Sequence, residues 1–233
     1  MNILVFHPFN FIDVHAVPIS IIAKALKDDG HNVLYVGCRG AFSEFCISMA
    51  AAGLSPEDGQ MEKETICKAC QSRYQKVTEV FNFDSVFLDQ YLGIEELSGI
   101  DDLCNSIQED EWFDFNYRNI PVGRYASYEF LLTEKLNKVS KWSPKQFKRY
   151  KIFLKNSLKT IIAGEKLFLD FKPDRLITYN SLYSVNNTLC GLADNLSVPH
   201  YTVHAGYHLE DRVSQVTIFR GRTAVSEFNR GGF

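Results

Sequence analysis

The sequence predicts an α/β fold, with a Rossmann-like open parallel sheet, helices on both faces and a largely helical middle insertion. Residues 2–37 and residues 175–204 carry this prediction, because each stretch alternates strand, helix and strand in its apolar pattern. Units of this order build parallel sheets. The chain has 233 residues, of which 45% are hydrophobic and 23% are charged. This composition is typical of one large globular domain.

The first unit begins with an apolar run at residues 2–6, which is typical of a buried parallel strand. From about Val14 to Asp29 the apolar residues recur at helical spacing, and Gly30 stands where a helix would end. Residues 31–37 form another apolar run. The sequence therefore predicts a strand, a helix and a second strand that pairs in parallel with the first.

The second unit predicts a strand over residues 175–179, a helix over 185–196 and a strand over 198–204. The segment between the units is mostly helical by its apolar spacing. Its predicted helices cover residues 41–52, 67–89, 125–138 and 144–171, with a loop over 53–64 and short helices and loops over 90–120. We therefore expect residues 1–233 to form one Rossmann-like domain, with residues 41–171 as a mainly helical insertion.

Composition and missing motifs exclude several classes of function. A net charge of −3 gives no broad basic surface, so nucleic acid is not an expected partner. The N-terminus lacks the basic start and long apolar stretch of a signal peptide, and no run approaches the roughly twenty apolar residues of a membrane span. The expected location is the cytoplasm. The chain has no Gly-x-Gly-x-x-Gly, P-loop or Gly-x-Ser-x-Gly motif, which disfavours a dinucleotide site, a P-loop and an α/β-hydrolase.

The first candidate site is the loop that follows the first strand, where ligands bind in open α/β sheets. It contains Asn10, Asp13 and His15. His15 lies near a helix N-terminus, which favours a neutral imidazole that can act as a general base, and Asp13 is the carboxylate that would orient it. In the alternative interpretation, Asp13 only caps the helix and His15 is solvated.

The cysteines form the second candidate site. Cys38 and Cys46 are followed by Cys67 and Cys70, which make a Cys-x-x-Cys pair. Four thiols in this pattern can close on zinc or on an iron–sulfur cluster. The spacing is wider than in zinc fingers, so free thiols in the core and a redox pair remain as alternatives.

Three further segments carry polar residues near helix starts or strand ends. Arg124 opens a helix where it could bind an anion, or where it is merely solvated. Asn180 and Tyr183 follow a strand and suit a sugar, although the same residues serve turns and caps. His204 and Gly206 follow the last predicted strand and form either a substrate wall or a surface turn.

Taken together, these segments resemble the N-terminal half of a GT-B type glycosyltransferase, and more closely uncharacterised enzymes of bacterial capsule and O-antigen-type polysaccharide biosynthesis. The resemblance rests on Gly30-His31-Asn32-Val33, the four cysteines, Gly123-Arg124, residues 173–183 and the stretch from Val198 to Gly206. It implies a Rossmann-like acceptor domain, with a nucleotide-sugar donor domain expected on its C-terminal side. The sequence stops at Phe233, where that second domain would begin.

The resemblance also implies a function. The protein would move a sugar from a nucleotide-sugar donor to a cell-surface polysaccharide or a lipid-linked acceptor. His15 would be the base, and Asn180, Tyr183 and His204 would line the cleft. Catalysis would need no cofactor, so a metal at the cysteines would be structural. The basic stretch from Lys138 to Lys155 would allow peripheral membrane contact. The alternatives are a non-catalytic carbohydrate- or nucleotide-binding module and a metal–thiolate protein.

Overall fold

The computed structural model describes residues 1–136, 142–205 and 215–222. Within this part of the chain, six strands form one sheet in the order β3-β2-β1-β4-β5-β6. The first five strands pair in parallel and β6 is antiparallel to β5. The predicted Rossmann-like α/β fold is therefore confirmed. The strands are β1 (Asn2–Phe6), β2 (Asn32–Gly37), β3 (Asp84–Phe87), β4 (Arg175–Tyr179), β5 (His200–Ala205) and β6 (Val216–Arg220).

Helices cover both faces of the sheet, as predicted, and they create two buried cores. Leu4 and Phe6 of β1 point into the core on one face, whereas Ile3 and Val5 point into the core on the other, because successive side chains of a strand alternate. The helices are α1 (Asp13–Asp28), α2 (Ile47–Ala51), α3 (Gln60–Val80), α4 (Ile94–Ser106), α5 (Val122–Thr133), α6 (Pro144–Phe171) and α7 (Ser184–Asn195).

Helix α6 confirms its predicted bounds, and local chemistry explains both ends. At its start, the Ser143 hydroxyl oxygen accepts a hydrogen bond from the Gln146 N–H at 3.3 Å, and Pro144 occupies the first turn. At its end, Lys172 takes a left-handed conformation with φ of 50°. The long amphipathic helix packs closely on α5 and α7.

The predictions for the middle of the chain are wrong in one important respect. Residues 67–89 are not one helix, because α3 ends at Val80 and the chain turns at Asn82, whose φ is 51°, into strand β3. This strand has only four residues, with two exposed and two half-buried, so it lacks the continuous apolar run of a buried strand. The helix predicted over residues 41–52 is also shorter in the structure, where α2 covers Ile47–Ala51.

The sequence prediction also missed β6. Its side chains alternate between exposed and half-buried positions as an edge strand, and it runs antiparallel beside β5. In the described part of the chain, no helix combines the length and apolar character needed to cross a membrane.

Candidate functional site

The candidate site lies where the carboxyl ends of β1, β4 and β5 meet. His7 directly follows β1, Tyr179 ends β4, and His204 is the penultimate residue of β5. In the sheet register, Phe6 lies opposite Thr178, and Tyr179 lies opposite Val203. The three side chains that carry polar chemistry are therefore gathered at one edge of the sheet, the usual position of ligand sites in open α/β folds.

Three histidines surround the ring of Tyr179 at this edge. His15, in the first turn of α1, stacks on Tyr179 with ring centroids 4.2 Å apart and planes inclined by 25°. His204 lies nearly parallel to the same ring at 6.0 Å, and His7 meets it edge-on at 6.2 Å. Edge-on and offset contacts are the favoured geometries of aromatic pairs. The stack fixes the orientation of His15 relative to the sheet.

His7 is a neutral imidazole in this structure. Its side chain is buried, and among the described residues neither ring nitrogen makes a hydrogen bond of good geometry. Burial, and then the neighbouring His15, lower the pKa of His7 to about 3, with only partial opposition from the Phe9 backbone. His7 therefore stays uncharged at neutral pH, and it cannot be the group that takes up a proton there.

Glu129 is a buried carboxyl group on α5, just behind the site. Its Oε2 accepts a hydrogen bond of 2.8 Å from the backbone N–H of Ser184, the first residue of α7. Burial raises the pKa of Glu129 to about 8, although the hydrogen bonds with Ser184 act in the opposite direction. Burial, and then Tyr128 and Glu129, also raise the pKa of the neighbouring Tyr183 phenol.

A cleft of about 740 Å³ opens beside this group of side chains. His15 and Tyr183, whose ring centroids lie 6.0 Å apart, line this cleft, and we call the part that they line its floor. The walls come from α2 and the loop after it on one side, and from the end of α5 on the other. Most wall residues are apolar: Ile47, Ala50, Ala51, Leu54, Pro56 and Leu132, with Glu134, Lys135 and Arg149 as charged members. A cleft of this size and lining suits a small organic substrate.

Asn10 and Asp13, the other residues predicted in the first candidate site, both bind other groups of the protein. Asn10 is buried, with its Nδ2 donating to the His7 carbonyl at 2.6 Å and its Oδ1 accepting from the Tyr35 hydroxyl at 3.2 Å. Its amide thus holds the loop in place. Asp13 has an exposed carboxylate that pairs with Arg73 at 3.1 Å.

The other predicted residues lie in different parts of the fold. Arg124 does not line the cleft, because its exposed side chain pairs with Asp114 at 2.9 Å and lies over the Phe113 ring. Asn180 takes a φ of 48° directly after β4, and its Oδ1 accepts from the Leu182 N–H at 3.1 Å. Gly206 lies outside the described residues, as do Lys138 and Lys141.

The four cysteines predicted as metal ligands line one small cavity of about 20 Å³ next to the first loop. Among the described residues, however, no three His, Cys, Asp or Glu side chains are placed to hold a metal ion. Burial raises the pKa of all four thiols, that of Cys46 to about 12.

Sequence reasoning assigned no role to His7, Tyr179 and Glu129. His7 and Tyr179 carried a usable signal, because each stands at the carboxyl end of a predicted strand. Glu129 carried a weaker one, a lone carboxylate beside Ala126 and Phe130 on the apolar face of a predicted helix. Its partner, Ser184, is 55 residues away in the sequence.

No protein-family model matches this sequence, and no curated protein matches it. Among solved structures, a cyclodipeptide synthase from Fluoribacter dumoffii has a TM-score of 0.55 and 6% identity, and the match covers 94% of this chain and 90% of that one. AlbC, a cyclodipeptide synthase from Streptomyces noursei, has a TM-score of 0.42 and 11% identity, covering 81% and 86%. The zinc-inhibited form of teicoplanin deacetylase Orf2 has a TM-score of 0.43 and 12% identity, covering 88% of this chain and 67% of the deacetylase.

These findings correct the glycosyltransferase assignment. The match across nearly the full length of a cyclodipeptide synthase places the chain in a fold shared with that synthase and not with GT-B glycosyltransferases. The resemblance was misleading because Gly30-His31-Asn32-Val33 is a helix end followed by a strand, which many α/β proteins share. At this level of identity, the match shows the fold alone.

The function and partners derived from that assignment are wrong as well. They include the nucleotide sugar and the polysaccharide or lipid-linked acceptor, and a C-terminal donor domain is no longer implied. Peripheral membrane contact at the stretch from Lys138 to Lys155 stays a prediction. Neither alternative, the carbohydrate- or nucleotide-binding module or the metal–thiolate protein, is supported. The prediction that nucleic acid is not a partner rested on net charge. Net charge does not describe local surfaces, so that prediction is withdrawn as well.

Proposed function

We propose that the protein transfers an activated aminoacyl group to an amine, which is the reaction class of a cyclodipeptide synthase. The observation that carries the proposal is the position of His15, on the floor of a largely apolar cleft and fixed by its stack on Tyr179. A shared fold with a cyclodipeptide synthase supports the choice of reaction. Joining amino acids through peptide bonds requires a donor whose carboxyl group is activated as an ester or thioester.

In the proposed reaction, the acceptor amine attacks the carbonyl carbon of the donor, and a C–N bond forms. His15 takes a proton from the attacking nitrogen and returns it to the leaving oxygen or sulfur when the C–O or C–S bond breaks, so the imidazole is regenerated. His7 does not compete for this proton, because burial holds its pKa at about 3. We propose that the reaction needs no cofactor, since general acid–base groups supply every proton transfer.

The remaining side chains position the base and the substrate. The rings of His204 and His15 both lie nearly parallel to that of Tyr179, and the Tyr179 hydroxyl oxygen accepts from the Ala205 N–H at 3.2 Å. Glu129 anchors the first residue of α7 beside Tyr183. We propose that Tyr183 contacts the acyl group on the cleft floor and that Asn180 shapes the turn that places it there. An activated aminoacyl donor is an intracellular metabolite, so we also propose a cytoplasmic location.

The test supplies the purified protein with amino acids activated as RNA esters or as thioesters, and follows linear and cyclic dipeptides by mass spectrometry. We expect dipeptide formation, and we expect His15→Gln to lower the rate by about 10²-fold or more, which is the usual contribution of a general base. His31→Gln, at the other end of α1, is the matched control and should retain the rate. A wild-type protein that forms no product from either donor, or a fully active His15→Gln variant, would refute the proposal.

A further inference from the structure

Arg149 is a charged residue at the rim of the otherwise largely apolar cleft. Its Nε donates to Glu57 Oε1 at 2.5 Å, and its Nη1 pairs with Glu134. Glu57 lies in the loop between α2 and α3, whereas Glu134 follows α5 directly. The guanidinium therefore joins the loop that carries Pro56, a lining residue of the cleft, to the end of α5.

The two carboxylates differ in how firmly they are held. The side chain of Glu134 is 12% exposed, whereas that of Glu57 is 42% exposed and belongs to a loop. Exposed ion pairs contribute little net free energy because water competes for both charges. Of the two partners of Arg149, Glu57 is therefore the one that a ligand can replace.

Two further cations lie near this ion pair. Lys135 lines the cleft, and the Lys145 ammonium lies 3.8 Å from Glu57 Oε1. The carboxylate of Asp58, which accepts from the Ser55 N–H at 2.6 Å, lies in the same loop as Glu57. If Glu57 moves away, the local charge becomes more positive by one unit, which favours an incoming anion.

We infer that Arg149 is an oxyanion subsite, in which a phosphate of the substrate displaces Glu57 and binds the guanidinium while Glu134 keeps its contact. The guanidinium presents several N–H donors in a planar fork, which matches two phosphate oxygens. The use of this subsite in turnover rests on the proposed function. In an activated aminoacyl donor the carboxyl group is already esterified, so the anion belongs to the leaving group, and nucleotide, RNA and phosphopantetheine leaving groups all carry phosphate.

The experiment measures binding of inorganic phosphate and of adenosine monophosphate to the full chain, by calorimetry and without any acyl donor. Glu57→Gln removes the competitor of the ligand, so we expect affinity for both probes to rise about twofold to fivefold, consistent with the size of exposed ion pairs. Arg149→Gln should lower affinity at least fivefold. Arg149→Lys keeps the positive charge but lacks the planar fork of N–H donors. Its affinity for both probes should lie between that of Arg149→Gln and that of the wild type.

Glu96→Gln, which breaks an ion pair with Lys166 elsewhere on α6, is the matched carboxylate control and should leave phosphate affinity unchanged. Circular dichroism spectra confirm that each variant is folded. Unchanged or weaker phosphate binding by Glu57→Gln, or unchanged binding by Arg149→Gln, would overturn the inference. If the aminoacyl-transfer assay fails, the proposed function is refuted but these binding results still stand. If the enzyme is active but Glu57→Gln does not change its phosphate affinity, only the phosphate subsite is refuted.

Discussion

The imidazole of His15 lies face to face with the phenol ring of Tyr179, with centroids 4.2 Å apart. His15 belongs to the first turn of α1, and Tyr179 is the last residue of β4, so 164 residues of sequence separate them. The contact thus joins helix α1 to strand β4. It is the structural reason for treating His15 as a positioned group at the cleft floor and not as a freely rotating side chain of a helix start.

The first prediction concerns this stack. Tyr179→Leu removes the ring that orients His15, and a misplaced catalytic group typically costs on the order of 10²-fold in rate. We expect Tyr179→Leu to lower the rate of aminoacyl transfer by about 10- to 100-fold. Tyr179→Phe keeps the ring and loses the hydroxyl, which accepts from the Ala205 N–H, so it should stay within about threefold of the wild type. Equal losses in the two variants would contradict a role for the ring.

The second prediction follows from the buried carboxyl group of Glu129. Its pKa is about 8 in the folded chain, compared with 4.5 when solvated. Between these pH values, the folded state holds a proton that the unfolded state has released, so the free energy of unfolding falls as the pH rises through this window. Below pH 4.5 both states are protonated, and the effect disappears.

Glu129→Gln removes this titration and keeps a side-chain oxygen that can accept from the Ser184 N–H. We measure the free energy of unfolding of both proteins by urea denaturation. We expect the value for Glu129→Gln minus that for the wild type to increase by roughly 3 kcal/mol from pH 5 to pH 8. Glu79→Gln, on the exposed side of α3, is the control. Its free energy of unfolding should change with pH in the same way as that of the wild type. A constant difference between Glu129→Gln and the wild type over this range would show that Glu129 does not hold its proton.

The strands found from sequence and the strands missed differ in burial. Strands β1, β2, β4 and β5 are largely buried, so they appear in the sequence as apolar runs. Strand β3 stands at one edge of the sheet and β6 at the other, and each is partly exposed. Edge strands have no need of a continuous apolar run, so local pattern alone does not identify them.

Sequence reasoning could propose site residues where topology determines position, but not where tertiary packing does. His15, Tyr183 and His204 could be proposed because they stand just after predicted strands. Glu129 and Arg149 could not, because the environment of each depends on distant parts of the chain. Arg149 meets Glu57 across 92 residues of sequence. No local pattern distinguishes these residues from solvated charges on a helix.

The third prediction concerns thiol reactivity. The thiolate is the reactive form of cysteine, and burial raises the pKa of Cys46 to about 12 and also raises that of Cys38. The pKa of Cys67 is raised less strongly, since that residue is only partly enclosed by α3 and its neighbours. We expect iodoacetamide at pH 8 to label Cys67 at least tenfold faster than Cys46, as followed by peptide mass spectrometry.

The urea-unfolded chain is the control for thiol reactivity, and all six cysteines should be labelled there at similar rates. Fastest labelling of Cys38 in the folded protein would contradict the burial argument. Labelling of Cys46 that accelerates after a chelator is added would contradict the structure, because it would require a bound metal.

The last prediction concerns the close contact between β2 and α3. Gly37 ends β2, and a Cβ atom at this position would lie 2.5 Å from Cε2 of Tyr74. Tyr74 is buried, and its hydroxyl lies 2.9 Å from the Tyr35 carbonyl oxygen and 3.0 Å from that of Val86. The ring therefore links β2 to β3 and has little freedom to move aside. We expect Gly37→Ala to lower the free energy of unfolding by about 1–3 kcal/mol, the usual range for overpacking.

Gly99→Ala is the matched control, because Gly99 lies inside α4 and an added Cβ would have no neighbour within 4 Å. Alanine favours the helix by up to about 1 kcal/mol over glycine, so this variant should be slightly more stable than the wild type. Urea denaturation at one pH compares the two substitutions directly. If both substitutions stabilised the protein, the Tyr74 ring would have to move aside at little cost in free energy. The position of β3 would then depend on its pairing with β2 and not on the Tyr74 phenol that joins the two strands.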